Sequence, residues 1–389
     1  MQEGLFRVAI TAVLFTFPAT AQVTRIVDAK GGSQVFTDIQ PAIDASSTGD
    51  TILVRAGAYS GFRLRTKAIS LLAEPGARVA TGTMQSAILS DLPAGSTTIV
   101  RGLEFDATFS SQIAIIGSAG TIVFDGVTMK GQMRLCDFTH ANVVRIERCS
   151  FQGTIMFQSG TTGIATDSTF TGVTDAAAKF VQRPAIRLSA STGHSLYLCK
   201  CSVRGADAAT AQDKPSAAIE ATGQARLVVR GDASNSIIAG IGALPISAIQ
   251  AIAPHGNELV IDPRIVVTGN AAVAIDWMGP IVRRTDPTLV ASPAKLGTTM
   301  TIDVGYVART LHFVMIGAIP ANPIATPIGD IDIVNPILLL SGAGAVVRHS
   351  VMVPGVPALR GSVAQWQVLG WNPSTNALRL GNASTSILH

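Results

Sequence analysis

The chain has few charged and few aromatic residues for its 389 positions. Asp, Glu, Lys and Arg make up 14% of it and Phe, Trp and Tyr only 5%, whereas charged residues alone form roughly 25% of an average globular protein. The net charge is +4, but the 29 basic residues are scattered along the chain. A nucleic-acid-binding protein concentrates Lys and Arg on one surface, so no nucleic-acid partner is expected.

Cysteine is scarce as well, with four residues at positions 136, 149, 199 and 201. None of their spacings is that of a zinc site. Cys199 and Cys201 lie too close together on one strand to form a disulfide. Cys136 and Cys149 could pair across one turn of a coil, or all four could be small buried thiols. Both interpretations are kept at this point.

Long apolar runs are missing except at the N-terminus. Residues 8–17 are apolar, Pro18 ends the run, and the Ala-Thr-Ala segment that follows has the small residues of a signal-peptidase site. We therefore predict a signal peptide over residues 1–21, with a buried first helix as the alternative. The run is too short to span a bilayer, and no other segment predicts a membrane span. The expected location is secreted or at the cell surface.

In place of these features, the chain has a short repeated pattern. It reads small or apolar residue, Ser or Thr, larger apolar residue, any residue, glycine, and clear copies end at Gly131, Gly153, Gly172 and Gly205. The first copies lie about 20 residues apart, which is the length of one turn of a stacked solenoid. Short strand-like runs precede the copies and no helical pattern separates them, so βαβ units are excluded.

Parallel stacking of these coils predicts side-chain columns, because equivalent residues of successive turns lie about 4.8 Å apart. One column should be interior and apolar, and the column beside it should carry hydroxyl groups. The interior column would contain Met129, Phe151, Phe170 and Val203, and the hydroxyl column Thr128, Ser150, Thr169 and Ser202.

The segment at positions 36–61 adds a more specific signal. Residues 36–45 have the apolar spacing of a short amphipathic helix, and a Gly-Asp-Thr-Ile strand begins at Gly49. This segment resembles the opening of the pectin-lyase-like superfamily, and the resemblance covers about residues 23–285. It implies a right-handed single-stranded parallel β-helix that a short N-terminal helix caps. Such a cap covers strand edges that would otherwise invite aggregation.

The repeat stops near position 285, and the last hundred residues have a different sequence pattern. Alternating runs broken by Pro and Gly predict five or more strands in a small antiparallel β-sandwich. The order of a segment from Asp330 to Pro336, a run of leucines and a Val-Pro-Gly-Val-Pro loop is similar to a C-terminal module of bacterial secreted β-helix proteins. The predicted domains are the β-helix over residues 22–285 and the β-rich domain over residues 286–389.

Motifs that would indicate catalysis are absent from the sequence. The polygalacturonase-type hydrolases carry an adjacent pair of aspartates and a Gly-His-Gly segment, and this chain has neither. Glycoside hydrolysis needs two carboxylates that face one bond, and no such pair can be nominated. The Trp-Ile-Asp-His segment of pectate-type lyases is also missing. Catalytic residues are therefore unknown, no cofactor or metal is expected, and calcium would be needed only if the chain were a lyase.

The stacking argument does predict one candidate binding surface. If the flanking apolar residues point inward, the central residue of each strand points outward. That outward column would contain Ala114, Arg134, Met156, Arg187 and Glu220, with Asp137 and His140 in a following turn. Its two arginines could contact a polyanionic sugar chain. The alternative is a solvated sheet face with ordinary charges.

Aromatic residues bear on sugar binding because sugar-binding grooves often stack rings on Trp or Tyr. The chain has three of each, and the three tryptophans fall late, at Trp277, Trp366 and Trp371. A sugar-stacking role for Trp371 is one interpretation, and core packing or a turn plug is the other.

These observations support two hypotheses. The first is a secreted or surface β-helix protein without catalytic activity that binds a polysaccharide or serves as a structural spacer. The second is a divergent polysaccharide lyase or glycoside hydrolase acting on acidic polysaccharide. Its first candidate residues would be Arg134, Arg187 and Glu220, followed by Tyr59 and Arg63.

Overall fold

In the computed structural model of the chain, nearly all of the regular secondary structure is β-strand. The structure describes residues 23–80, 87–107, 113–141, 143–158, 160–175, 181–189, 193–252, 256–307, 310–319 and 324–389. The signal peptide predicted over residues 1–21 lies outside these ranges. Within them, no helix combines the length and the apolar character that crossing a membrane requires.

The first part of the chain, up to Arg283, forms parallel strands stacked in long sheets, an arrangement consistent with a parallel β-helix. Each full coil contributes a strand to each of three rows, which we call faces A, B and C in chain order. Face A is an 11-stranded sheet, and faces B and C together form a 16-stranded sheet. Two long strands, Thr128–Thr139 and Ser150–Gln158, run through both B and C.

The strands of the three faces are short, as the repeat predicts. Face A contains Thr24–Val27, Thr51–Val54, Ser70–Ala73, Thr97–Arg101, Thr121–Asp125, Val143–Glu147, Thr162–Thr166, His194–Cys199, Ala225–Arg230, Glu258–Ile261 and Ile281–Arg283. Besides the two long strands, face B contains Gly57–Tyr59, Ala77–Ala80, Glu104–Ala107, Thr169–Thr171, Ser202–Arg204, Ser236–Ile238 and Val266–Thr268. Face C likewise contains Phe62–Arg65, Ala87–Ser90, Ile113–Ile116, Ile186–Ser189, Ile219–Ala221, Ile249–Ala251 and Ile275–Asp276.

The predicted helix is present at the N-terminal end of the stack as Ile39–Ala45. It begins later than position 36 because Asp38 is its N-cap, whose carboxylate accepts a hydrogen bond of 2.8 Å from the Ile39 backbone N–H. The side chains of Ile39, Ala42 and Ile43 are buried against the first coils. The apolar face expected from the sequence is therefore the one that packs.

Both predicted side-chain columns are confirmed by the strand register on face B. Met129 pairs with Phe151, Phe151 with Phe170 and Phe170 with Val203, and all four are buried. The rings of Phe151 and Phe170 stack with their centroids 5.6 Å apart. The hydroxyl column pairs in the same register on the outside, as Thr128, Ser150, Thr169 and Ser202.

All four cysteines are free and buried, so no disulfide links Cys136 to Cys149. Burial raises the pKa of Cys199 to about 12 and lifts the pKa of the other three thiols well above their ordinary value. Since the thiolate is the reactive form, these cysteines fill space in the coils and are chemically inert.

The pairing changes from parallel to antiparallel between Arg283 and Thr288. One antiparallel sheet has three strands, Thr288–Ala291, Thr299–Gly305 and Val346–Met352. Another has four, in the order Val334–Ala343, Leu311–Ala318, Val363–Asn372 and Ala377–Ile387. A two-stranded hairpin contains Ile324–Thr326 and Gly329–Ile331, and a short 3-10 helix covers Pro357–Leu359. The larger two sheets share one cluster of buried apolar side chains that includes Ile302, Val314 and Trp366.

A histidine pair links these two sheets. His312 lies on the four-stranded sheet and His349 on the three-stranded one, with their Nε2 atoms 3.0 Å apart. Burial, and then the neighbouring His349, lowers the pKa of His312 to about 4, and burial lowers the pKa of His349 as well. The pair is therefore neutral at physiological pH.

The histidine pair should make the stability of the chain depend on acid. The pKa of His312 is lower in the folded chain than its ordinary 6.5, so its contribution is present above pH 6.5 and is lost as the pH falls through about 4. We expect the free energy of unfolding to drop over this range by roughly 1–2 kcal/mol more than in His312→Phe. Urea titrations at several pH values measure this. The exposed His140→Phe should keep the original pH dependence, and an unchanged profile in His312→Phe would contradict the assignment.

Candidate functional site

The outward column predicted on face C exists, but its membership differs from the prediction at one position. Backbone pairing places Asp137, rather than Arg134, between Ala114 and Met156. Arg187 and Glu220 follow in the predicted order. The complete column reads Arg63, Ile88, Ala114, Asp137, Met156, Arg187, Glu220, Gln250 and Asp276.

The shift of three residues has a local cause. Along the strand Thr128–Thr139 the pairing is irregular on both sides of Arg134, whose backbone pairs with Thr154. The extra residues are taken up there, at the corner between faces B and C. The buried positions are Cys136 and Phe138, and the residue between them points outward. The side chain of Arg134 lies outside the part of the chain that is described.

Asp137 is held by its neighbours on face C. Its Oδ1 accepts a hydrogen bond from the Thr139 hydroxyl at 3.2 Å and another from the side-chain amide of Gln158. Gln158 also contacts the sulfur of Met156 at 3.4 Å. These side chains are partly exposed or, for Met156, buried. These contacts hold the side chains of Asp137 and Gln158 in place in the absence of a ligand.

Arg187 and Glu220 form the centre of the column. Their side chains make an ion pair of 2.9 Å across adjacent coils and remain 29% and 17% exposed. The Nε of Arg187 has no hydrogen-bond partner in the described part of the chain. Gln250 and Asp276 continue the column on the next two coils. Four successive rungs therefore present polar side chains about 4.8 Å apart.

Longer loops lie at the corner where face B turns into face C. They connect the strands at positions 172–185, 205–218 and 239–248, and the first contains a small hairpin of Thr174–Asp175 with Val181–Gln182. The loops are fastened to each other: Ala208 N–H donates to the Ile241 carbonyl, and the Asp207 carboxylate accepts from the Ile241 N–H, both at 2.8 Å. Hydrogen bonds thus join the second and third of these loops.

The other predicted residues are dispersed. His140 is exposed in the turn that follows the Asp137 strand and has a positive φ of 52°. Tyr59 is buried inside the first coils, where its hydroxyl donates to the Arg55 carbonyl at 2.8 Å. Arg63 belongs to the column but lies at its N-terminal end, four rungs from Met156. Tyr59 is therefore part of the core, and His140 is outside the column.

A second cluster of charged residues, which sequence reasoning missed, lies where the C-terminal sheets dock on the outside of face A. Arg145 is completely buried there, and its guanidinium donates to both oxygens of Asp332 at 2.8 and 2.5 Å. Asp332 also accepts from the Gln365 side chain at 3.3 Å. We call the buried charged residues at this contact the interdomain cluster.

Glu147 and Arg148 extend the interdomain cluster along face A. Glu147 accepts hydrogen bonds from the Thr385 backbone N–H at 3.0 Å and from the Ser384 hydroxyl at 3.3 Å. Burial raises the pKa of Glu147 to about 8 despite the nearby Arg148. Arg148 donates to Asp125 at 2.6 Å and to the carbonyl of Ala291 in the C-terminal sheets.

The cluster continues toward the last coils through two further arginines. Arg230 donates to Asp286 at 3.1 Å, and Arg226 contacts Asp330 at 3.2 Å and Glu258 at 2.8 Å. Arginines on two strands of face A, Val143–Glu147 and Ala225–Arg230, thus meet carboxylates of the C-terminal part. This complementarity holds the two parts against each other, and the Arg145–Asp332 and Arg230–Asp286 pairs within it are buried structural contacts.

Neither of these charged regions resembles a metal centre. No group of three or more His, Cys, Asp or Glu side chains within the described ranges could hold a metal ion. In comparisons with known proteins, no family model matches the chain, and no curated protein matches it significantly.

Proposed function

We propose that the chain is an exported β-helix protein that binds an extended polysaccharide along face C without cleaving it. The observation that carries this proposal is the column from Arg187 to Asp276, in which four successive coils present polar side chains that are at least partly exposed. A polymer that lies along the stack would meet an equivalent polar position at every coil, so weak contacts would add up over its length.

We also infer the finer identity of the fold. The N-terminal helix, the Gly-Asp-Thr-Ile strand and the three-faced coils support a right-handed, single-stranded β-helix of the pectin-lyase-like type. The shared apolar cluster between the two antiparallel sheets supports a small β-sandwich at positions 286–389. Export is supported by the apolar N-terminal segment and its small-residue cleavage signal.

The charges of the column favour an uncharged polymer over an acidic one. Arg187 is already paired with Glu220, and Asp137 and Asp276 add further negative charge to the same column. A chain of uronates would be repelled by these carboxylates. Amide, carboxylate and guanidinium groups at fixed spacing instead match the hydroxyl groups of a neutral sugar chain.

Affinity electrophoresis tests this proposal. We expect the protein to be retarded in gels that contain an uncharged glucan or mannan, and Arg187→Ala to weaken retention at least threefold, because it also releases Glu220. Arg348→Ala is the matched control, since Arg348 makes an exposed ion pair with Asp303 on the three-stranded sheet, outside the face C column. It should migrate like the unmodified protein.

The same samples separate binding from catalysis. Incubation with neutral and uronate-containing polysaccharides should produce neither absorbance near 235 nm nor new reducing ends. Cleavage that Arg187→Ala abolishes would overturn the proposal in favour of a lyase or hydrolase. Equal retention of Arg187→Ala and Arg348→Ala would remove face C as the binding surface.

A further inference from the structure

The outer side of the four-stranded sheet carries an apolar surface that the docking contact leaves uncovered. On the strand Leu311–Ala318, His312 and Val314 point into the core, so Leu311 and Phe313 point outward. Strand register then places Trp371 beside Leu311 and Leu369 beside Phe313. Leu378 continues the first row, because it pairs with Trp371.

These side chains form two rows across the sheet, which we call the Trp371 platform. Its members are Leu311, Phe313, Ser341, Ala343, Leu369, Trp371 and Leu378. Leu311 and Leu378 are 37% and 39% exposed, and Trp371 between them is partly exposed. None of the seven side chains carries a charge.

A polar turn borders one end of the platform. It spans residues 372–376 and exposes Ser374, Thr375 and Asn376 to solvent. The indole N–H of Trp371 donates to the Asn376 side-chain oxygen at 3.3 Å, and Asn372 accepts from the Ser374 backbone N–H at 3.0 Å. An aromatic surface therefore adjoins a rim of hydroxyl and amide groups.

We propose that the Trp371 platform binds sugar rings of an uncharged polysaccharide, as a site separate from face C. A pyranose presents one face of C–H groups and a rim of hydroxyls, which matches an indole with amide and hydroxyl neighbours. Trp supplies such contact area at low entropic cost, since its side chain has only two rotatable bonds. The absence of charge on the platform excludes the ion pairs that an acidic sugar would require.

The geometry argues against a protein as the occupant. One row across four strands and one across three cover on the order of 100–200 Å², whereas each partner of a stable protein interface buries about 800 Å². Trp371 also lies on a strand with paired neighbours on both sides. An extended peptide could therefore not add itself as a new strand at this position.

Tryptophan fluorescence of the full chain reports on this site directly. Trp277 and Trp366 are only 8% and 3% exposed, so a change in emission on adding a glucan, mannan or dextran would come from Trp371. We expect saturable emission changes with one of these probes. Trp371→Ala should weaken retention in the corresponding affinity gel at least fivefold, while Trp371→Phe should keep most of it but lose the emission change.

A control variant and the contrary results complete the test of the Trp371 platform. Val346→Ala removes another exposed apolar side chain, 78% exposed, on the other sheet and should leave both readouts unchanged. Unchanged retention of Trp371→Ala, or no emission change with any probe, overturns the inference. A concentration-dependent dimer in sedimentation that Trp371→Ala abolishes would show that a second copy occupies the platform. Arg187→Ala should keep the Trp371 emission change, because it alters face C only; loss of that change in Arg187→Ala would contradict a site separate from face C.

Discussion

Replacing Asp332 by alanine should destabilise the protein by about 3–5 kcal/mol, because it leaves the Arg145 guanidinium buried without its partner. Arg145 is 0% exposed and donates to both carboxylate oxygens of Asp332. Water cannot solvate the unpaired guanidinium of Arg145, because the C-terminal sheets cover this side chain. Urea unfolding followed by circular dichroism measures the loss.

Two further variants separate the buried pair from a general effect of losing charge. Asp303→Ala breaks a comparable pair with Arg348, but there the side chains are 31% and 68% exposed, so it should cost less than about 1 kcal/mol. The double variant Arg145→Met with Asp332→Leu removes both charges and should recover much of the stability. Equal losses in Asp332→Ala and Asp303→Ala would show that the contact contributes no more than a surface pair.

The interdomain cluster could not have been found from the sequence. Arg145 and Asp332 are 187 positions apart; Arg145 lies at the centre of the strand Val143–Glu147, and Asp332 directly follows the strand Gly329–Ile331. Local pattern indicates that such a side chain points away from the coil interior, but it says nothing about what covers that side. Burial of face A depends on where the C-terminal sheets pack, and no short-range signal encodes that.

The error at Arg134 has a different origin. Two segments after the glycine of the preceding repeat, 133–135 and 136–138, have an apolar residue on either side of a polar one. Both therefore fit the inward-outward-inward pattern of a strand. The actual strand uses Cys136 and Phe138 as its buried residues. A period of two residues shows that successive side chains of a strand point to opposite sides. It does not show how many extra residues lie in an irregular corner before the strand pairing resumes.

The interior column could be predicted because repetition removes that ambiguity. Four copies of one pattern each place a large apolar residue at the same position, and stacking then fixes the pairing of all four. The same stacking argument placed Arg187 and Glu220, whose coils lie beyond the irregular strand and are in the register that the sequence predicts. A separate signal, the helical spacing of apolar residues, identified the buried face of the capping helix.

Phe151→Ala should cost about 3–5 kcal/mol, because it opens a cavity in the middle of that interior column. Phe151 is 1% exposed and its ring stacks on Phe170 with an interplanar angle of 7°. Neighbouring coils cannot close the gap, since each is held by strand pairing above and below. In a stacked solenoid the damage should stay near its origin, so hydrogen exchange should accelerate most in Ser150–Gln158 and the adjoining strands. Ser150→Ala, one residue away on the outer side, should cost less than about 0.5 kcal/mol; comparable losses in the two variants would mean that Phe151 does not pack as the column requires.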